Sequence, residues 1–200
     1  MKTIFGKKAD MSDIAYRDLS AYRYEVFVNR LGWPLDCPVG QEQDQFDRVD
    51  TEYVLASQDD GSLCGCARLL PTDRPYLLGE VFPVLMHGQP LPADATVWEV
   101  SRFATWASSA NRADADANDC INPISNSNGL DTEGDLMRTR LLAHAVLERA
   151  AELGAKRLIT VSPYGMERLL RRVGVDARRS GPPVMWGGQL LIACWIDVPA

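Results

Sequence analysis

The segment WEVSRFATW, residues 98–106, sets a carboxylate, a hydroxyl and a guanidinium (Glu99, Ser101 and Arg102) in a run that otherwise reads as a buried strand between two tryptophans. Groups of these kinds take up a proton, donate a hydrogen bond and hold an anion. A buried charge without a partner costs several kcal/mol, so the three either find partners or sit at a site. Strand alternation puts Glu99 and Ser101 on one face and Arg102 on the other. A β-bulge between 101 and 102 would bring all three together.

The elements that must position them follow from pattern. Ser12-Asp13 starts a helix whose spacing continues to Gly32-Trp33-Pro34. Leu19, Tyr22 and Val26 make one stripe on it, and Arg23, Phe27 and Arg30 the adjacent one. Residues 33–50 are rich in Pro, Gly and acids without a period, a loop long enough to suggest function. EYVLAS (52–57) and LCGCARLL (63–70) read as strands joined at Asp59-Asp60-Gly61, and 96–106 as the next strand. Residues 107–131, rich in Ala, Ser, Asn and Asp, read as a mobile surface insertion. The longest helix spans 133–153, with an apolar stripe through Met137, Leu141, Ala145 and Val146. A strand at 157–162, a short helix at 166–174 and one or two strands in 184–198 complete a mixed α/β sandwich around a twisted sheet.

Two hundred residues suit a single domain, 1–200. No signal pattern opens the chain and no run is apolar enough to span a membrane, so a soluble cytoplasmic protein is expected. Five scattered cysteines suggest reduced thiols. Cys64 and Cys66, two apart in a strand, should share a face, and with only His87 and His144 to help them no metal site is expected. Both histidines read as structural. The formal charge of −6 hides an asymmetry: residues 138–180 hold ten Lys/Arg against four Asp/Glu. Such separation belongs to a solvated charged surface or steers an acidic partner; the acidic remainder and the absence of aromatic–basic interleaving argue against nucleic acid, and an acidic protein fits at least as well.

Taken in order, these residues resemble the LuxI-type N-acyl-homoserine-lactone synthases. Arg23, Phe27 and Trp33 match R-x3-F-x5-W, Asp44 and Asp47 match D-x2-D, and Arg68 matches the strand-end arginine that opens the R-L-x-P-T turn. Phe82 follows, then Glu99, Ser101 and Arg102 as E-x-S-R, and MERLLRRVG resembles the late M-E-R-x-x-R-R-x-G helix. The likeness runs from about residue 14 to 175, and the insertion at 107–131 departs from it. It implies a fold like the GNAT acyltransferases, with a bulge at the strand holding the acyl donor. It also implies transfer of an acyl chain from acyl carrier protein to S-adenosylmethionine, which is a substrate rather than a cofactor. Lactone closure then releases 5′-methylthioadenosine.

On that resemblance Glu99 is the general base, directly or through water, because an ammonium has no lone pair with which to attack a thioester. Ser101 bonds the acyl amide or orients Glu99; Arg102 binds the substrate carboxylate or anchors the acids. Asp44 and Asp47 face the cationic end of S-adenosylmethionine or pair with Arg23 and Arg68 to hold the loop closed. Phe27 and Trp33 pack on the adenosine or face the sulfonium, although helical spacing alone assigns them to core. The acyl chain runs between the sheet and helix 133–153, lined by Phe82, Trp98, Phe103, Met137, Leu141, Thr160 and Ser162, and overall likeness points to a medium chain near octanoyl. Lys156, Arg157, Arg168, Arg171 and Arg172 meet the acidic carrier. Two other classes compete. An acyl-CoA-using GNAT enzyme would carry an R-x-x-G-x-G/A loop before a helix, and none precedes 133–153. A non-catalytic sensor of S-adenosylmethionine or acyl chains has no need of Glu99 or Arg102.

Overall fold

The structure, a computed structural model, describes residues 1–107 and 133–199; all but the first residue of the 107–131 segment lies outside them. Strands β1 (Lys2–Lys7), β2 (Glu52–Ser57), β3 (Leu63–Pro71) and β4 (Val97–Thr105) run antiparallel in chain order. β4 pairs in parallel with β5 (Arg157–Pro163), which pairs antiparallel with β8 (Gln189–Asp197). β6 (Ala177–Arg179) and β7 (Val184–Trp186) both pair with β8. Helices α1 (Asp13–Arg23) and α2 (Leu77–Val81) cover one face of this mixed sheet, and α3 (Glu133–Glu152) and α4 (Met166–Arg172) the other. The α/β architecture agrees with the pattern-based expectation. β1 was not foreseen: it is an edge strand, exposed along nearly all its length, so no alternation marks it.

The Ser12 hydroxyl accepts from the Ala15 N–H at 3.2 Å, capping α1 as its position suggests. Beyond Arg23 the helix widens into a π-turn over Tyr24–Arg30, where the Leu31 N–H reaches the Val26 carbonyl. In the β2–β3 hairpin the register passes from Ala56 opposite Gly65 to Ser57 opposite Leu63, leaving Cys64 as an extra residue. This bulge corrects the expectation for the two cysteines. Cys64 packs in the cluster beneath α3 and Cys66 in the cluster beneath α1, on opposite faces. Burial pushes the Cys66 thiol up to about 12, so it remains a protonated, inert side chain. At the other end of the chain Gly187 and Gly188, both at positive φ (54° and 83°), close a two-residue hairpin between β7 and β8.

The buried stripe of α3 is Thr139, Leu142, Ala143, Ala145, Val146 and Ala150. Met137 and Leu141 are 52% and 42% exposed, so neither lines the space between helix and sheet, contrary to the sequence reading. The phase was ambiguous because Ala145 and Val146 fit both the stripe through Leu141 and the stripe through Leu142, and tertiary packing chose the latter. Leu142→Ala should therefore cost about 2–5 kcal/mol and Leu141→Ala less than about 0.5 kcal/mol, as measured by urea unfolding.

The bulge expected in β4 is present. Three steps of β4, from Ser101 to Ala104, stand against the two steps of β3 from Arg68 to Cys66, and Arg102 takes a left-handed φ of 52°. The extra residue turns Trp98, Val100 and Phe103 to the α3 side together, while Glu99 and Ser101 stay on the other. The bulge also ends pairing with β5. Only Val97, Trp98 and Glu99 have partners there (Arg157, Leu158 and Ile159), so the two strands form a wedge that opens toward their C-terminal ends.

Candidate active site

The loop of residues 33–50 lies over the α1 side of this bulge and brings three acids to three arginines. Arg23 donates to Glu42 Oε2 and, at 2.9 Å, to Asp47 Oδ1. Arg68 donates through Nη1 to Asp44 (2.6 Å) and Asp47 (2.9 Å), and through Nε to Ser101 Oγ (3.1 Å). Arg102 grips Glu42 Oε1 through Nε and Nη2 and reaches Asp44 Oδ2 at 3.0 Å. The Tyr53 hydroxyl adds a third donor to Asp47 Oδ1 at 2.6 Å. Burial works against charge on Asp47, but the Arg23 and Arg68 guanidiniums outweigh it and hold the carboxyl well below the usual range. Burial likewise opposes the charges of Glu42 and Asp44, yet Arg102 with Arg23, and Arg68, lower both.

In the structure the residues of these alternatives make the following contacts. Asp44 and Asp47 pair with arginines and hold the loop on the sheet. Arg102 anchors acids, and its αL backbone is what lets it reach them. Ser101 accepts from Arg68. Phe27 and Trp33 stack at 4.9 Å between centroids, with the Arg102 guanidinium 5.5 and 5.9 Å from the two rings. Glu42, missed in the sequence, lies in the same aperiodic loop, and nothing in a one-dimensional pattern distinguishes it from Gln43 or Asp36. Arg23 and Arg68 each keep one buried Nη2 without a hydrogen-bond partner among the described residues.

Glu99 stands apart from this network. It is fully buried, and its two oxygens accept the Leu77 and Leu78 N–H groups at 2.8 Å each. These are orphan donors at the start of α2, whose N-cap Tyr76 makes no side-chain cap, so Glu99 serves that end from the strand beneath it. Burial pushes its carboxyl up to about 7; the Leu78 and Leu77 N–H groups and then the charges of Arg68 and Arg102 pull the other way and lose. A carboxylate so tuned takes up a proton near neutral pH, as a general base must.

The residues expected around an acyl chain are divided by the sheet. Trp98, Phe103, Thr160 and Ser162 belong to the α3 side, where the Thr160 and Ser162 hydroxyls bond each other at 3.1 Å. Phe82 lies on the opposite face with α2, edge-to-face with Trp186 at 5.3 Å. The expected basic surface also separates. Arg168, Arg171 and Arg172 are exposed on α4, but Lys156 and Arg157 sit at the closed end of the wedge, where Arg157 lies over the Trp195 ring at 4.0 Å.

Comparison with known proteins agrees with this geometry. The autoinducer synthase family matches residues 7–200. An acyl-homoserine-lactone synthase from Acinetobacter nosocomialis is 44% identical, over 99% of this chain and the whole of that one. The crystal structure of TofI in a ternary complex with an inhibitor and MTA superposes with a TM-score of 0.80 at 40% identity, covering 100% of this chain and 93% of that one. BjaI, a CoA-dependent acyl-homoserine lactone synthase seen with SAM and isopentyl-CoA, shares the fold at 22% identity (TM-score 0.75; 98% of this chain, 82% of that one). So does an acyl-CoA N-acyltransferase from Pseudomonas aeruginosa at 21% identity (TM-score 0.58; 97% of each chain), which makes the fold GNAT-like. The chain thus belongs to the autoinducer synthase family and is an acyltransferase of the acyl-homoserine-lactone synthase type.

Proposed function

We propose that the chain transfers an acyl group from acyl carrier protein to the amine of S-adenosylmethionine and then closes the lactone. The observation that carries this reading is Glu99: a buried carboxylate tuned to about 7, on a bulged strand at the closed end of the wedge. Glu99 takes the proton of the substrate ammonium, the freed amine attacks the thioester carbonyl, and the carrier thiol leaves with a proton. Backbone N–H groups freed at the bulge offer donors to the thioester oxyanion. The methionine carboxylate then displaces the sulfonium; the carbon–sulfur electrons go to sulfur and 5′-methylthioadenosine departs. That second step needs a folded substrate more than a base.

The unspent Nη2 groups of Arg23 and Arg68 suit the carboxylate of S-adenosylmethionine, and the Phe27–Trp33 stack suits its adenosine or sulfonium. That TofI was captured with MTA supports S-adenosylmethionine as the acceptor's source. The acyl chain passes through the wedge to Trp98, Phe103, Thr160 and Ser162 on the α3 side. BjaI is CoA-dependent, so fold does not choose the donor. The exposed arginines of α4 and the lack of an R-x-x-G-x-G/A motif before α3 favour an acidic carrier protein in the cytoplasm. Neither step calls for a further cofactor.

The deciding experiment mixes the purified protein with S-adenosylmethionine and carrier proteins bearing butanoyl to dodecanoyl chains, with acyl-CoA as a parallel donor. Mass spectrometry should find acyl-homoserine lactone and methylthioadenosine together, from the carrier-bound donors and best near octanoyl. Product from acyl-CoA alone would reassign the donor, and no product from any donor would leave a sensor.

A further inference from the structure

On the proposed reading, a carrier-bound arm must enter the wedge from its open end, where β4 and β5 have parted. The turn after β5 forms one lip of that opening. Tyr164 there donates its N–H to the Leu190 carbonyl at 2.8 Å, and α4 starts two residues later, with Arg168 in its first turn. The β7–β8 hairpin is thereby held against the lip. Its cross-strand pair Met185 and Leu190 points to the same side as Ile192 and α4, beyond the end of the packed core. These two side chains are 63% and 40% exposed. The other side of the ribbon is engaged, with Trp186 on Phe82 and Val184 in the α2 cluster.

We infer that Met185 and Leu190 form the apolar half of the docking surface for the acidic acyl carrier protein, and that Arg168, Arg171 and Arg172 form the charged half. This deepens the proposed function and rests on its choice of donor. Two features select the occupant. A carrier delivering its chain into the wedge must cover the lip, and the exposed arginines of α4, the helix that starts at that lip, complement a negatively charged protein. Interfaces of this kind derive their salt-dependent approach from a charged rim and their residence from a few buried apolar anchors. Apolar side chains left in water beside the substrate entrance fit the second role.

The test compares two donors on one enzyme, octanoyl carrier protein and octanoyl pantetheine, which carries the same thioester without the protein. Met185→Ser/Leu190→Ser should raise KM for the carrier donor by about tenfold, while kcat/KM for the pantetheine donor stays at the parent value. Its deficit should persist at high salt. The deficit of Arg168→Glu/Arg171→Glu, by contrast, should shrink there, because the parent's charge steering is itself screened. An unchanged carrier KM in the serine variant, or an equal loss with both donors, overturns the inference. Failure of the donor reading is separable because it shows in the parent enzyme, which would then turn over acyl-CoA and not the carrier-bound chain.

Discussion

Glu99→Gln should lower turnover by about 10²- to 10⁴-fold while S-adenosylmethionine still binds as in the parent. The amide keeps the size and one acceptor of the carboxylate but cannot take the amine's proton. Because burial sets the Glu99 carboxyl at about 7, kcat/KM for the parent should rise with pH and level off above that value, and the residual activity of the variant should lack this limb. Stability moves the opposite way. The folded carboxyl keeps its proton up to about 7, whereas the unfolded one loses it near 4.5, so the native state binds more protons between these values. Parent stability should thus decline by about 3 kcal/mol as pH rises through that window, and the glutamine variant should show no such decline. Urea unfolding at about pH 5 and about pH 8, paired with the rate profile, checks both signs. Unchanged turnover would remove Glu99 from the mechanism.

Asp47→Asn should destabilise the protein by about 3–5 kcal/mol, the cost of leaving buried charge uncompensated. The change is isosteric, which isolates the electrostatics. Asp47 Oδ1 accepts from Arg23, Arg68 and Tyr53, and Oδ2 accepts from the Asp44 N–H. An asparagine must turn its NH2 toward one of these donor groups, whichever way it lies. The balanced set of three acids and three arginines also becomes net positive in a buried place. Melting should shift down by about 10 °C for a chain of this size. Asp44 is held through Asp47, so the affinity for S-adenosylmethionine should fall as well. A shift below about 1 kcal/mol would mean that water already screens the cluster.

Much of this protein is legible in one dimension. Helix periods located α1, α3 and α4, because each has one face buried and one wet, and that contrast writes a period into the sequence; the central strands β2 and β3, buried on both faces, read instead as short apolar runs between turn signals. The polar residues within 98–106 marked the site, since charge in an apolar strand demands a reason. Their motif order pointed to the family. Tertiary structure decided what has no local period. It chose the buried stripe of α3 and so excluded Met137 and Leu141, because packing volume, not spacing, separates two stripes that share Ala145 and Val146. It recruited Glu42 from an aperiodic loop, where only proximity to Arg23 and Arg102 gives an acid its role. It placed Cys64 and Cys66 on opposite faces through one extra residue. It also gave Arg102 a left-handed backbone, which turns its guanidinium to the acids and parts β4 from β5. A single bulge reverses every later side chain, so the faces of a strand are known only once its partner's register is known.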